Sequence, residues 1–102
     1  MSKETTIILI YGPVSSGKTP WRDKIAAKAK KKGYSVYEND HRLFSFEHNF
    51  NKKLEDVKTN AKSSFVDIAI ICIVTDSNGP FKIEIEHSMT GPLEILNILE
   101  WA

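Results

Sequence analysis

Gly12-Pro13-Val14-Ser15-Ser16-Gly17-Lys18-Thr19 fills all four specified positions of the pattern G-x-x-x-x-G-K-[ST]. At ordinary residue frequencies, a chain this short matches it by chance in well under about one case in a hundred. The chemistry open to such a loop is the cradling of a polyphosphate. Gly12 and Gly17 can take positive φ and bring backbone close to an anion where a Cβ would obstruct it. Successive N–H groups then converge on phosphate oxygens, with the positive end of a following helix behind them. Lys18 adds a full charge for the outermost phosphates, and the Thr19 hydroxyl can ligate Mg²⁺. ATP or another nucleoside triphosphate, with Mg²⁺, is the ligand set this pattern implies. A plain glycine-bearing turn between strand and helix is the alternative. Pro20 bears on the metal: proline favours the first helical position, which makes Thr19 the expected N-cap, its side chain bonded to helix N–H groups. Phosphate binding survives that arrangement, whereas metal ligation competes with it.

Two further groups can do chemistry. Glu38-Asn39-Asp40-His41-Arg42 ends a short β-prone stretch, and ligands of open parallel sheets sit at the carboxyl ends of strands. Asp40 can accept a proton from an attacking hydroxyl, and Arg42 can hold an anionic substrate group bidentately. An Asp capping the next turn beside an exposed Arg is the competing reading. Asp76 closes the most apolar run of the chain, the position from which a carboxylate holds Mg²⁺ beside a phosphate loop. It also opens Asp76-Ser77-Asn78-Gly79-Pro80, which is strong turn chemistry. His41, His48 and His87 form no constellation.

The elements that must position these residues follow from periodicity. Residues 5–11 are apolar and β-branched, a buried strand leading into the loop. Residues 18–32 read as a helix stopped by Gly33, with Trp21, Ile25 and Ala29 on one face. The lysines from Lys28 to Lys32 complement the helix dipole and keep the surface solvated more readily than they bind nucleic acid. Residues 35–38 form a second short strand. Phe46, Phe50, Leu54, Val57 and Ala61 share a helical spacing, so a second helix is expected over 47–62 with its phenylalanines serving the core rather than stacking bases. Residues 65–75 should be a central strand. Residues 81–86 alternate apolar and charged, an edge strand with one wet face. Asn78-Gly79 then predicts a hairpin from the third strand to this fourth one, and with it the strand order 2-1-3-4. Pro92 opens a last helix over 92–101, apolar on most sides, either buried or presenting a surface to a protein partner.

The chain is 102 residues long, of a size for one domain spanning 1–102, with 41% hydrophobic and 26% charged residues. A formal net charge of +1 creates no global field toward nucleic acid or membrane. One cysteine, Cys72, sits in an apolar run and makes no internal disulfide, which fits a reducing, cytoplasmic compartment. No apolar run approaches the roughly 18 residues a membrane span needs. The expected architecture is a three-layer α/β sandwich of the P-loop NTPase type: a mostly parallel four-stranded sheet with an antiparallel edge strand.

The stretch 5–42 resembles the opening of P-loop kinases of the polynucleotide-kinase-like kind. In that family a phosphate loop is followed by a helix beginning with Trp, then a second strand ending in Asp with an Arg downstream. Here these are Gly12 to Thr19, Trp21, Asp40 and Arg42. Val74-Thr75-Asp76-Ser77-Asn78 is similar to the family's third-strand end, and the loop's Gly-Pro opening with its Ser-Gly-Lys-Thr ending is shared with thymidine-kinase-like proteins. The resemblance implies a general base at Asp40, a substrate-phosphate contact at Arg42, and phosphate and metal duties for Lys18, Thr19 and Asp76. It also implies a sheet with strand three between strands two and one. The chain departs from the family in three places: Asp40-x-Arg42 is one residue shorter than the family spacing, Pro20 replaces a helix former, and no Lys or Arg follows Lys82, so an arginine-bearing lid is missing.

Two classes of function follow. One is Mg²⁺-dependent phosphoryl transfer from ATP to a small hydroxyl, nucleotide or oligonucleotide acceptor. The other is a trimmed, non-catalytic P-loop protein that regulates or inhibits a protein partner.

Overall fold

The most apolar segment of the chain becomes the middle of the sheet. Ile68-Ala69-Ile70-Ile71-Cys72-Ile73-Val74 is buried at every position but the last, so both faces and both edges of this segment need cover. The computed structural model describes residues 5–14, 17–42, 48–76, 79–87, 95, 97 and 100. Within them the order is β1 (Thr6–Gly12), α1 (Lys18–Lys31), β2 (Val36–Arg42), α2 (Phe50–Lys62), β3 (Ile68–Val74) and β4 (Lys82–Glu86). This is an α/β fold with a mixed four-stranded sheet in the order β2-β3-β1-β4. β3 runs parallel to both β1 and β2, and β4 runs antiparallel to β1.

Alternation along the strands divides the core between two faces. Ile8 and Ile10 of β1 and Ile68, Ile70 and Cys72 of β3 meet Ile25, Ala26 and Ala29 of α1, together with Ile95. Ile7 and Leu9 of β1 and Ala69, Ile71 and Ile73 of β3 meet Val57 and Ala61 of α2, with Phe50 and Leu54 packed beside them. One helix therefore covers each face of the central strand pair. The apolar face expected for each helix is the one that packs. Each fully buried Ile or Leu contributes about 1.5–3 kcal/mol relative to exposure, so this double-sided pair supplies most of the stabilising term. At the lower end of the sheet, the Asp67 carboxylate accepts from the backbone N–H of Ser35 at 3.0 Å and its hydroxyl at 3.2 Å, fixing how β2 and β3 align.

Several expectations are corrected. The order 2-1-3-4 and the β3–β4 hairpin do not form: β4 lies beside β1, and the connection from Thr75 to Phe81 passes from one side of β1 to the other. In either order β4, with exposed Lys82, Glu84 and Glu86, is an edge strand; what differs is that β3 takes β2 as its second parallel neighbour over seven residues, which leaves the free edge of β1 for β4. Gly79 is a turn glycine as expected, with φ +100, but it serves that crossing link. β2 does not stop at Glu38; it continues through Arg42 because β3 offers seven residues of backbone partners, from Val36↔Ile68 to Arg42↔Val74. β3 in turn begins at Ile68 and not at Phe65, which stands exposed in the left-handed region at φ 55.

Thr19 is not the N-cap of α1. Gly17 is, at φ 90 and ψ 13, so Lys18, Thr19 and Pro20 are the first three helical residues. Proline is tolerated there because those N–H groups have no intrahelical acceptor; the first helical bond runs from Trp21 N–H to the Gly17 carbonyl at 3.3 Å. The Thr19 hydroxyl is thereby released from the competition that an N-cap would impose. The second helix begins at Phe50, with 43–47 outside the described residues. The last helix expected over 92–101 also lies outside them apart from Ile95, Asn97 and Glu100, of which Ile95 is fully buried on the α1 face. The described residues contain no helix long and apolar enough to cross a membrane.

Candidate functional site

β1 delivers the chain to the rim formed by the carboxyl ends of the three parallel strands. Gly12, Val74 and Arg42 stand in one row of the sheet, so all three strands finish level. At the usual strand spacing, Arg42 lies roughly 10 Å from Gly12 across that rim. The Thr75 N–H donates to the Gly12 carbonyl at 3.0 Å, tying the exit of β3 to the start of the loop. Asp76 follows, exposed, beside the same end of β1.

The loop itself is described at Gly12, Pro13, Val14 and from Gly17 onward; Ser15 and Ser16 lie outside the described residues. Gly17 takes the positive φ that only glycine adopts without strain, and it is exposed at the helix start. Lys18 is 5% exposed, and its ammonium donates to the Pro13 carbonyl at 2.5 Å, inside the turn of the loop. A buried ammonium requires oxygen partners, and phosphate oxygens are the stronger ones because they carry charge. Thr19 is exposed on the first helical turn. The N–H groups of Lys18 and Thr19 have no intrahelical acceptor at the helix start, while Pro20 contributes none.

Arg22 completes the rim on the β2 side, and sequence reasoning missed it. Its guanidinium donates to the Asp40 carboxylate and to Asp23 Oδ1 at 3.2 and 3.3 Å, and lies 3.8 Å from Glu38. Its side chain is only 14% exposed. Burial opposes its charge, but the hydrogen bond to Asp23 and the charges of Asp40 and Asp23 outweigh that and raise its pKa. The missed signal was spacing. Arg22 stands four residues after Lys18 on one helix face, and Glu38 and Asp40 stand two apart on one strand face. Arg42, by contrast, is exposed at the last position of β2 and has no ion partner among the described residues. The structure thus brings Asp40 to the start of α1 and leaves Arg42 at the strand end. Arg22→Ala should lower stability by about 0.5–1 kcal/mol, discounted because Asp40 is largely exposed. A double-mutant cycle with Asp40→Asn, read by urea unfolding, measures this coupling; it should shrink in high salt.

Beneath the first turn of α1, the Cys72 thiol donates to the Lys18 carbonyl at 3.8 Å. Burial is the main cause that pushes this thiol from 9.0 up to about 11, partly offset by Arg22. On the other face, burial together with Glu84 and Glu55 pushes the Tyr11 phenol above its usual range. Both groups are held neutral in the fold at a pH where the unfolded chain would ionise them. The Cys72 part is complete below pH 9 and is lost as pH rises through about 11, and the Tyr11 part is lost at higher pH still. The urea midpoint should therefore fall from pH 9 upward, and less steeply in a Tyr11→Phe, Cys72→Ala variant.

The donor set at the rim suits Mg²⁺, a hard ion that takes one or two protein oxygens and fills its sphere with phosphate and water. Thr19 offers a hydroxyl and Asp76 a carboxylate. Among the described residues there is no cluster of three or more His, Cys, Asp or Glu side chains able to hold a metal. At the far end of α1, an open hollow of about 550 Å³ is lined by Lys28, Lys31, Lys32 and Glu100, away from the loop. No protein-family model matches the chain, and no curated protein or solved structure matches it either.

Proposed function

We propose that the chain binds the polyphosphate of a nucleoside triphosphate in the loop from Gly12 to Thr19 and transfers a phosphoryl group to a small hydroxyl or nucleotide acceptor on the β2 side. The observation that carries the reading is the loop's setting. The full four-position motif joins a buried strand to a helix start, with Gly17 at positive φ and Lys18 turned inward. The finer architecture we infer is a three-layer α/β sandwich of the P-loop NTPase type. A helix on each sheet face and β3 between β2 and β1 support it, as the kinase resemblance implied. A cytoplasmic setting accords with the buried, reduced Cys72.

In this reading the loop N–H groups and Lys18 hold the phosphate tail. Thr19 and Asp76 would hold Mg²⁺, which supplies neutralisation of the charge shared between the outer phosphates. The acceptor oxygen attacks the terminal phosphorus, its proton passes to the Asp40 carboxylate, and the bond to the nucleoside diphosphate breaks. Arg22 holds one Asp40 oxygen, leaving Oδ2 for that proton; Arg42 meets an anionic group on the acceptor. Positioning and electrostatics carry the rate.

The Arg22–Asp40 pair also favours a second reading, in which the carboxylate is structural and the chain is a nucleotide-gated regulator of a protein partner. Labelled ATP incubated with nucleosides, nucleotides and 5′-hydroxyl oligonucleotides separates the two. Transfer above a Lys18→Ala control supports the kinase. Tight Mg-ATP binding without transfer supports the regulator. Absence of any triphosphate binding by calorimetry removes both.

A further inference from the structure

The strand order gives the phosphate loop two unlike flanks. On the β2 side stand Arg22, Asp40 and Arg42. On the other side β4 lies beside β1 and runs antiparallel, so its leading end, not its trailing end, arrives at the rim. That leading end is Phe81, placed one residue before Lys82, which pairs with Tyr11 near the top of β1. A Cβ built on Gly17 would lie 3.8 Å from Phe81 Cε1, so the ring abuts the residue where the phosphate loop enters its helix. Trp21 follows Gly17 by one helical turn, about 6 Å along the axis. Helical side chains lean toward the N-terminus, which carries the indole back over that turn. The two rings meet with centroids 6.1 Å apart and planes tilted by 52°. Both pack on the α1-side core and both stay partly exposed.

We propose that Trp21 and Phe81 form a stacking shelf for the nucleobase of the polyphosphate ligand, so that the site takes nucleoside polyphosphates and discriminates against bare inorganic ones. The proposal rests on the phosphate-loop reading above and adds the ligand's second half. A phosphate tail held between Gly12 and Thr19 leaves its nucleoside with one ionic flank and one aromatic flank. A base is flat, weakly charged and polarisable, so it stacks on rings and gains little beside the ion-paired Arg22, Asp23 and Glu38. Aromatic stacking tolerates any base because each has a π face, and contact through the ring faces supplies no base-edge hydrogen bonds that would select one. The shelf therefore sets a preference for nucleotides as a class, strongest for the larger purine rings. Phe81 arrives there because β4 is antiparallel; a parallel fourth strand would send Phe81 to the opposite end of the sheet.

The test compares ATP, CTP and inorganic tripolyphosphate, each with Mg²⁺, by isothermal calorimetry on the full chain. The wild type should bind ATP roughly 5- to 100-fold more tightly than tripolyphosphate, with CTP between them. Phe81→Leu keeps apolar bulk and removes the π face; it should erase most of that gap and leave tripolyphosphate affinity within about twofold. Trp21→Leu should act in the same direction, and circular dichroism verifies that both variants keep their helix content. Equal affinity of the wild type for ATP and tripolyphosphate would overturn the shelf while sparing the phosphate loop. A gap that survives in both variants would also overturn it. If none of the three ligands binds, the loop reading has failed and the shelf falls with it.

Discussion

Lys18→Met should abolish the proposed nucleotide binding while leaving the fold intact: affinity for Mg-ATP is expected to fall roughly 30- to 1,000-fold, read by calorimetry. The expected size follows from where the ammonium stands. It is 5% exposed and hydrogen-bonded to the Pro13 carbonyl inside the loop, so water screens it little. A phosphate oxygen brought there meets a charge already desolvated, whose stem is already ordered. Removing one partner of such a charge-assisted contact costs about 2–4 kcal/mol. Methionine retains most of the buried stem, so the folded state loses the bond to the Pro13 carbonyl and is relieved of a buried charge. These terms oppose each other, and the urea midpoint should move by no more than about 1 kcal/mol equivalent. Lys18→Ala shows the same binding loss with a larger stability loss, because it also leaves a void. ATP bound by Lys18→Met within threefold of the wild type would contradict the assigned role.

Ile70→Ala should produce the largest stability loss, about 3–5 kcal/mol, because Ile70 lies in the middle of the central strand. It is 0% exposed, opposite Ile8 of β1 and Glu38 of β2, on the face covered by α1. No flexible neighbour can fill the space: Ile8, Ile25 and Ala29 are themselves fully buried on fixed elements. A domain of this size has about 5–15 kcal/mol of net stability, so this single change removes a large share. The melting temperature should drop by more than about 10 °C. A surface control, Lys52→Ala on α2, should stay within about 0.5 kcal/mol. A loss below about 1.5 kcal/mol for Ile70→Ala would mean that the α1 face is not packed as described.

The two expectations are linked through α1. Ile70 and Cys72 support α1 from below, and α1 carries Lys18, Trp21 and Arg22 at its first two turns. Loss of packing under the helix should therefore weaken ligand binding even though neither residue reaches the rim. Comparing Ile70→Val with Ile70→Ala separates that indirect effect from outright unfolding.

Patterns that depend on neighbours in sequence were legible in advance. The passage from a buried strand through Gly12 to a helix begun after Gly17 could be read because such a turn is a local device, made by residues that follow one another. The 3.6-residue period of Trp21, Ile25 and Ala29, and that of Phe50, Leu54, Val57 and Ala61, named the faces on which both helices pack. The apolar run 65–75 announced a central strand, and the alternation over 81–86 announced an edge strand with one wet face.

What tertiary structure alone decided concerns pairings between residues far apart in the chain. Asn78-Gly79 spoke for a hairpin, yet β4 crosses to β1, because both edges of β3 are already taken by the parallel partners β1 and β2. Asp40 was placed by its strand, but only the packing of α1 over β2 gave it Arg22 as a partner. Thr19 was expected to cap a helix started by Pro20; the helix instead begins two residues earlier, where the loop turns at Gly17. Phe81 lies 64 positions after Gly17 in the chain, and nothing in that interval tells that the two meet. Local chemistry is written in consecutive side chains, whereas which chemistries share a rim depends on strand order, and strand order is set by burial summed over the whole sheet.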